Sequence, residues 1–260
     1  MAKLAIDLAR LAPIVAKASP GTDLLAGDDL LLAREKTLSV HWAPFDYVPP
    51  TARLAIVGIT PGRQQAVNAL TAFKKGLESG ADLNAALRHA KLAGSFSGPM
   101  RGNLVPMLNA IGAHHTLGIA DCADLFDPAH ERVHFTSALR YPVFVDGANY
   151  NGNPEPLRTP LLRGMVEDFL AEEVRQLPDA LWLPLGPKSA ATLRHLVSLG
   201  LLPVDRVLEG LPHPSGANQE RINFFLGLKA RAALSGKTRP ELIERARDAL
   251  TAQLLRLRSA

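Results

Sequence analysis

The sequence predicts an α/β protein, a three-layer αβα fold around a central four-stranded parallel sheet, with helical additions at both termini. Three observations carry that expectation. Four short apolar runs, Leu54–Val57, Arg132–Leu139, Ala180–Leu185 and Val204–Leu208, are closed by glycine, proline or polar turns and read as buried strands. Stretches with apolar residues at helical spacing lie between them. Strands that alternate with helices imply a parallel sheet covered on both faces. At 260 residues the chain is long enough for a sizeable core, and a single α/β domain over 1–260 accounts for it.

The first 50 residues read as a helical N-terminal extension. Leu4, Leu8, Leu11 and Val15 mark one face of a helix over Ala2–Lys17, interrupted at Pro13 and stopped at Ser19-Pro20-Gly21. Val40–Pro50 is a proline-bounded loop with His41, Trp42, Phe45 and Tyr47; these aromatics either line a groove or cap the core. After the first strand come helices over Gln64–Lys75, Asp82–Ala93 with Asp82 as N-cap, and Asn103–Ile111. Tyr141–Pro160 is a long loop rich in aromatics and amides, which marks it as functional rather than a linker. Pro160–Gln176, Lys188–Leu199 and Asn218–Ala233 read as helices, and residues 236–260 hold the C-terminal one, Pro240–Arg258. Its stripe of Leu242, Ala246, Leu250 and Leu254 reads as a docked surface helix.

Composition excludes several classes. Hydrophobic residues make up 47% and charged ones 21%, which is a globular rather than a disordered balance. The net charge is +4, but the last 35 residues, 226–260, alone carry +5, so the basicity is local and global charge says little about nucleic acid. A lone Cys122 permits no internal disulfide and no four-cysteine cluster, and reads as a small buried hydrophobe. Asp7 and Arg10 interrupt any signal-peptide core and no run reaches membrane-span length, which predicts a cytoplasmic protein with no membrane partner. The histidines form no metal-ligand pattern: His130 and His134 straddle a strand start, and there is no HExxH. No metal and no cofactor are expected.

Two rigid loops stand out. Gly58-Ile59-Thr60-Pro61-Gly62-Arg63 follows the first strand, and Leu211-Pro212-His213-Pro214-Ser215-Gly216 follows the last. Strand-end loops are where open α/β sheets bind ligands. This early GxxPG and late HPSG pair resembles the two signature motifs of the uracil-DNA glycosylase superfamily, in an atypical branch without an iron–sulfur cluster. Phe96-Ser97-Gly98 through Leu104 is similar to the family's aromatic-glycine segment, and Val133–Tyr141 to its third strand-end segment. The resemblance spans roughly Val40 to Leu228.

The resemblance implies a monomeric, cofactor-independent DNA repair enzyme that flips uracil or a related deaminated base out of DNA and hydrolyses its N-glycosidic bond. It implies that His213 donates to the base carbonyl oxygen as charge builds there, a contact worth about 3 kcal/mol; the residue-level alternative is a structural histidine. Thr60 stands where the family handles the attacking water with Asp, Asn or Ala. A threonine hydroxyl stays protonated near neutrality and can only orient that water. Gly58, Ile59 and Phe96 would contact the base, Phe96 by stacking. Ser137 replaces the family's recognition asparagine, and Asn149, Asn151 or Asn153 can supply the missing amide, with Asn151 the chosen candidate. Pro61, Gly62, Arg63, Arg140, Ser215, Gly216, Asn218 and Arg221 would contact the DNA backbone, with Lys74 and Arg101 near them. The rival reading is a binding protein that keeps the fold without the chemistry.

Overall fold

The computed structural model describes residues 4–19, 21–95, 99–127 and 131–259. In chain order the elements are α1 (Leu8–Lys17), β1 (Leu31–Glu35), β2 (Leu38–His41), β3 (Leu54–Gly58), α2 (Arg63–Glu78), α3 (Leu83–Gly94), α4 (Pro99–Ala110) and α5 (Ala113–Leu117). Then follow β4 (Val133–Ser137), β5 (Val143–Val145), β6 (Ala148–Asn149), α6 (Pro160–Met165), a π turn (Val166–Leu170), α7 (Ala171–Gln176) and β7 (Leu181–Pro184). The chain ends with α8 (Pro187–Ser198), α9 (Gln219–Phe225) and α10 (Pro240–Ser259).

Helix and sheet are mixed as the α/β reading requires, but the parallel sheet has three strands, in the order β4-β3-β7. β3 and β7 run parallel with Ile56 opposite Leu183. The fourth expected strand is corrected. Val204–Arg206 is a 3-10 turn, and its contact with the sheet is a parallel bridge between Val207 and Trp182. Arg206 N donates to Pro203 O at 3.1 Å and Val207 N to Val204 O at 3.2 Å. Those donors close a local turn, so they are not available to a ladder.

The described residues fall into two compact units: Met1–Val48, Gly58–Ser95 and Phe135–Gln176 form one, and Pro49–Val57, Phe96–His134 and Leu177–Ala260 the other. The chain changes unit inside β3, between Val57 and Gly58, and inside β4, between His134 and Phe135.

The first unit holds an antiparallel sheet, β1-β2-β5-β6, that the sequence did not announce. The 1–50 segment is therefore not purely helical: α1, capped by Asp7, is followed by the β1–β2 hairpin. β5 and β6 come from the long amide-rich loop. Of the aromatics of Val40–Pro50, His41, Trp42 and Phe45 are buried, with Trp42 packed edge-on against Phe73 at 5.7 Å, and Tyr47 is half-buried. α2 and α3 pack antiparallel through small residues: Gly76 lies against Ala86, and Gly94 against Ala69.

In the second unit Trp182, Leu104, Met107 and Phe225 are fully buried. The predicted helix Asn218–Ala233 shortens to α9, because the chain turns at Gly227 with a left-handed φ of 73°. α10 is docked as expected. Leu250 and Leu254 are buried, Gln253 Nε2 donates to Asp205 O at 2.8 Å, and Thr116 Oγ1 donates to Leu254 O at 3.2 Å. Gly210, at φ 125°, meets this helix so closely that a Cβ there would stand 2.7 Å from the Ala246 Cβ. Glu220 pins the connection to α10: its carboxylate accepts from Lys229 Nζ at 2.8 Å, Ser235 N at 3.1 Å, Ser235 Oγ at 2.6 Å and Thr238 Oγ1 at 2.5 Å. Cys122 is buried, and burial pushes its thiol up to about 12. No helix among the described residues is long and apolar enough to cross a membrane.

Two predictions follow from this packing. A Cβ at Gly94 would sit 2.9 Å from the Gln65 carbonyl oxygen, a backbone atom that cannot step aside. Gly94→Ala should therefore destabilise by about 1–3 kcal/mol in urea titrations, despite alanine's better helix propensity. Glu220's bonds to Lys229, Ser235 and Thr238 hold its pKa far below the usual carboxylate range. A depressed folded pKa contributes stability above the unfolded value that is lost as pH falls. Glu220→Gln should lower Tm at pH 7, with the gap to wild type closing as pH drops below about 4.

Candidate functional site

In the first unit the strand-end loops meet. Ala138 N donates to Gly58 O at 2.8 Å and Leu139 N to Ile59 O at 2.9 Å. These bonds set the GxxPG loop beside the segment that begins with Ser137, which is half-buried at the end of β4. The Thr60 hydroxyl donates to Tyr141 O at 3.0 Å and accepts from Val143 N at 3.2 Å. A hydroxyl has one hydrogen and two lone pairs, so one lone pair remains. Thr60 can accept a hydrogen from water while stitching its loop to the start of β5.

The phosphate role expected of Pro61, Gly62 and Arg63 meets competition from the protein itself. Pro61 is buried and has no N–H. Gly62 N donates to Gln65 Oε1 at 3.0 Å, and Arg63 N to Asn149 Oδ1 at 2.8 Å. These are the donors an anion at the start of α2 would seek. The Arg63 guanidinium pairs with Asp23 at 3.0 Å and lies over the Phe144 ring at 4.8 Å. Gly62 itself has an ordinary φ of −77°, so no left-handed angle requires glycine there. Asn149 thus acts as a helix cap. Asn151, the candidate base-recognition amide, is exposed and its Oδ1 accepts from Asn153 N at 3.2 Å within its own loop.

Arg140 is the clearest correction. Its side chain is only 10% exposed and faces inward, where Nε donates to the fully buried Glu173 at 2.7 Å and Nη2 to Phe169 O at 3.0 Å. In the π turn the ladder is shifted to Ala171 N→Val166 O, and the nearby Phe169 carbonyl serves Arg140. Burial opposes the Arg140 charge, but Glu173 beside it outweighs that and holds its pKa above the usual value. More charge lies in the same unit. Asp46 accepts from Tyr141 Oη at 2.5 Å and Trp42 Nε1 at 3.1 Å, and burial raises its pKa. Lys91 donates to Phe45 O at 2.9 Å, and burial lowers its pKa to about 8. The residue-by-residue reading missed Asp46, Lys91 and Glu173. The signal was a charge on an apolar stripe: Lys91 stands among Ala86, Leu87, Ala90 and Gly94, and Glu173 among Phe169, Leu170 and Val174.

The second unit holds the histidine loop. His213 Nδ1 accepts from Ser215 N at 3.2 Å, and burial lowers the imidazole pKa. Burial thus favours the neutral ring, and in that form an accepting Nδ1 leaves the hydrogen on Nε2. Gly186, which opens α8, lies under the ring: a Cβ there would be 3.7 Å from His213 Cδ2. Asn218 N donates to Ser215 O at 2.9 Å and Asn218 Nδ2 to Ser215 Oγ at 3.1 Å, and Gly216–Asn218 is a 3-10 turn. Arg221 remains exposed but donates to Asn218 Oδ1 at 3.2 Å and to Lys237 O at 3.4 Å. From α4, Asn103 Nδ2 donates to Pro214 O at 2.9 Å. So His213, Ser215, Gly216, Asn218 and Arg221 do assemble around one loop.

Phe96, the expected stacking platform, lies outside the described residues, as does His130. Among the described residues, no group of three or more His, Cys, Asp or Glu side chains is placed to hold a metal ion. The buried pair in the first unit gives a direct prediction. Glu173→Ala leaves the Arg140 charge without its counter-ion and should destabilise by about 3–5 kcal/mol, measured by denaturant unfolding.

No family model matches this chain, and no solved structure matches it. It is similar to the uncharacterized protein YoxB of Bacillus subtilis (strain 168), with 34% identity over 207 residues that cover 78% of this chain and 80% of that protein. Identity of that order across most of both chains shows common descent, and the chain belongs to the same family as YoxB.

Proposed function

We propose that the protein is a DNA repair glycosylase, resembling the uracil-DNA glycosylase superfamily, that flips uracil or a related deaminated base from DNA and excises it by hydrolysis. It would work in the cytoplasm as a monomer, on single- or double-stranded DNA, without a cofactor. The observation that carries this reading is the His213 loop itself: Ser215 N donates to His213 Nδ1 at 3.2 Å between two flanking prolines, an arrangement that leaves Nε2 of a neutral ring as the donor. As the bond from the base to the sugar carbon breaks, its electron pair moves into the base and builds charge on a carbonyl oxygen. A fixed neutral donor stabilises that charge as it forms. Water then adds to the oxocarbenium-like sugar carbon, and the proton it loses ends on the departed base anion. In the other unit, Thr60 keeps one lone pair that can accept a hydrogen from water. Ser215, Gly216, Asn218 and Arg221 would lie along the DNA backbone beside His213.

A second reading is favoured by one observation: the loop Gly58–Arg63 carries no carboxylate, and its single hydroxyl is already tied to Tyr141 and Val143. That suits a protein that binds DNA or a nucleobase without turnover. Oligonucleotides holding uracil, hypoxanthine or xanthine, single- and double-stranded, separate the two. The glycosylase reading expects abasic product, and His213→Ala should slow its formation by about 10²–10³-fold. No abasic product from any of them at stoichiometric protein would sink the enzyme, and tight binding in that case would leave the binding protein standing.

A further inference from the structure

We infer that Asn103 is the positioning residue of His213, a role that rests on reading His213 as the donor to the leaving base. Asn103 sits on α4, in a different element from the histidine loop. Its one amide nitrogen donates to Pro214 O at 2.9 Å and to Gln219 Oε1 at 3.3 Å. Pro214 follows His213 directly and Gln219 opens α9, so a single side chain spans the loop from its tip to its exit. Gln219 is itself oriented, because its Nε2 donates to Asn223 Oδ1 at 2.9 Å. That leaves Gln219 Oε1 facing Asn103, and the line Asn223–Gln219–Asn103–Pro214 ends on the peptide next to His213.

The loop needs such an outside hold. Pro212 and Pro214 flank His213, and neither has an N–H. The backbone on both sides of the histidine therefore cannot anchor itself by donating, and its carbonyls are what remain to be held. Gripping the Pro214 carbonyl calls for a donor, and doing so while also serving Gln219 calls for two hydrogens on one short side chain. An asparagine amide has both; an aspartate of the same shape has neither. Inside the loop the Ser215 N–H that fixes the His213 tautomer comes one residue after the Pro214 carbonyl that Asn103 grips. A shift of Pro214 moves that N–H, and with it the direction of Nε2–H.

The test uses the full chain, labelled with nitrogen-15, as wild type, Asn103→Ala and Asn103→Asp. Amide exchange at Ser215 and the ring-nitrogen shifts of His213 read the position of the loop without any substrate. Both variants should speed Ser215 exchange about tenfold or more and lose the pure Nε2–H signature, while thermal unfolding stays cooperative. On the oligonucleotide panel kcat should fall about 10- to 100-fold with KM near wild type, as for a misplaced catalytic group. Should Asn103→Ala fail to fold, Asn103→Asp, equal in shape, carries the same measurements. Wild-type exchange at Ser215 and an unchanged His213 tautomer would overturn the inference, whatever the excision assay gives. Absence of excision by wild type would overturn the glycosylase reading instead, and the nitrogen-15 measurements would still decide whether Asn103 holds the loop.

Discussion

Arg140 and Glu173 face each other at 2.7 Å inside the first unit, and several segments take their positions from that contact. A guanidinium taken out of water is tolerated only when its donors are met. Glu173 meets one from α7 and the Phe169 carbonyl meets another from the π turn. The Phe169 ring also lies below the guanidinium at 5.2 Å and edge-on to Tyr141 at 5.1 Å. Tyr141 is thereby set, and its two ends do different work. Its hydroxyl donates to the buried Asp46, and its carbonyl accepts the hydrogen of Thr60. The first signature loop thus hangs on a residue that the buried charges hold in place. An arginine expected at the DNA surface is instead part of what shapes that loop.

Much of this fold was legible in the sequence where one physical rule dominated. Apolar runs closed by breakers located β3, β4 and β7, and helical spacing located α2, α3, α6–α7, α8 and α10. What was not legible depended on partners distant in sequence. β5 and β6 are three and two residues long, too short for any periodicity, and they form because β2 offers its edge to Val143–Val145. The run Val204–Leu208 has strand composition, but Pro203 leads into a turn that closes on its own carbonyls. Composition cannot distinguish a strand from a turn that keeps its hydrogen bonds local.

The candidate site divides in the same way. Short-range chemistry was readable: a histidine between prolines, followed by Ser-Gly, gives the closed loop in which Ser215 N reaches His213 Nδ1. Long-range ties were not. Nothing near Arg63 announces that Asn149, 86 positions away, will take its N–H. Nothing in the histidine loop announces Asn103, 111 positions before Pro214. The loop amides were expected to recognise a base, with Asn151 in that role; Asn151 caps its own turn, and Asn149 caps α2.

Each loop, taken within its own unit, has a distinct chemical capacity. A general base can supply about 10²–10⁴-fold, but it needs a group that accepts a full proton near neutral pH. Thr60 is not such a group, and the buried Asp46 carboxyl, linked to it through Tyr141, already accepts from Tyr141 and Trp42. A neutral donor needs only its hydrogen in the right place when charge develops. Burial disfavours the His213 imidazolium and Ser215 N donates to Nδ1, which leaves Nε2 as the donor of the neutral ring. A reaction whose barrier lies mainly in the departure of an anionic base draws on the donor, and water can then add to an electron-poor carbon with little activation. Chemistry of that kind asks little of a general base. A reaction that requires a strong nucleophile would have to find its base elsewhere in the chain.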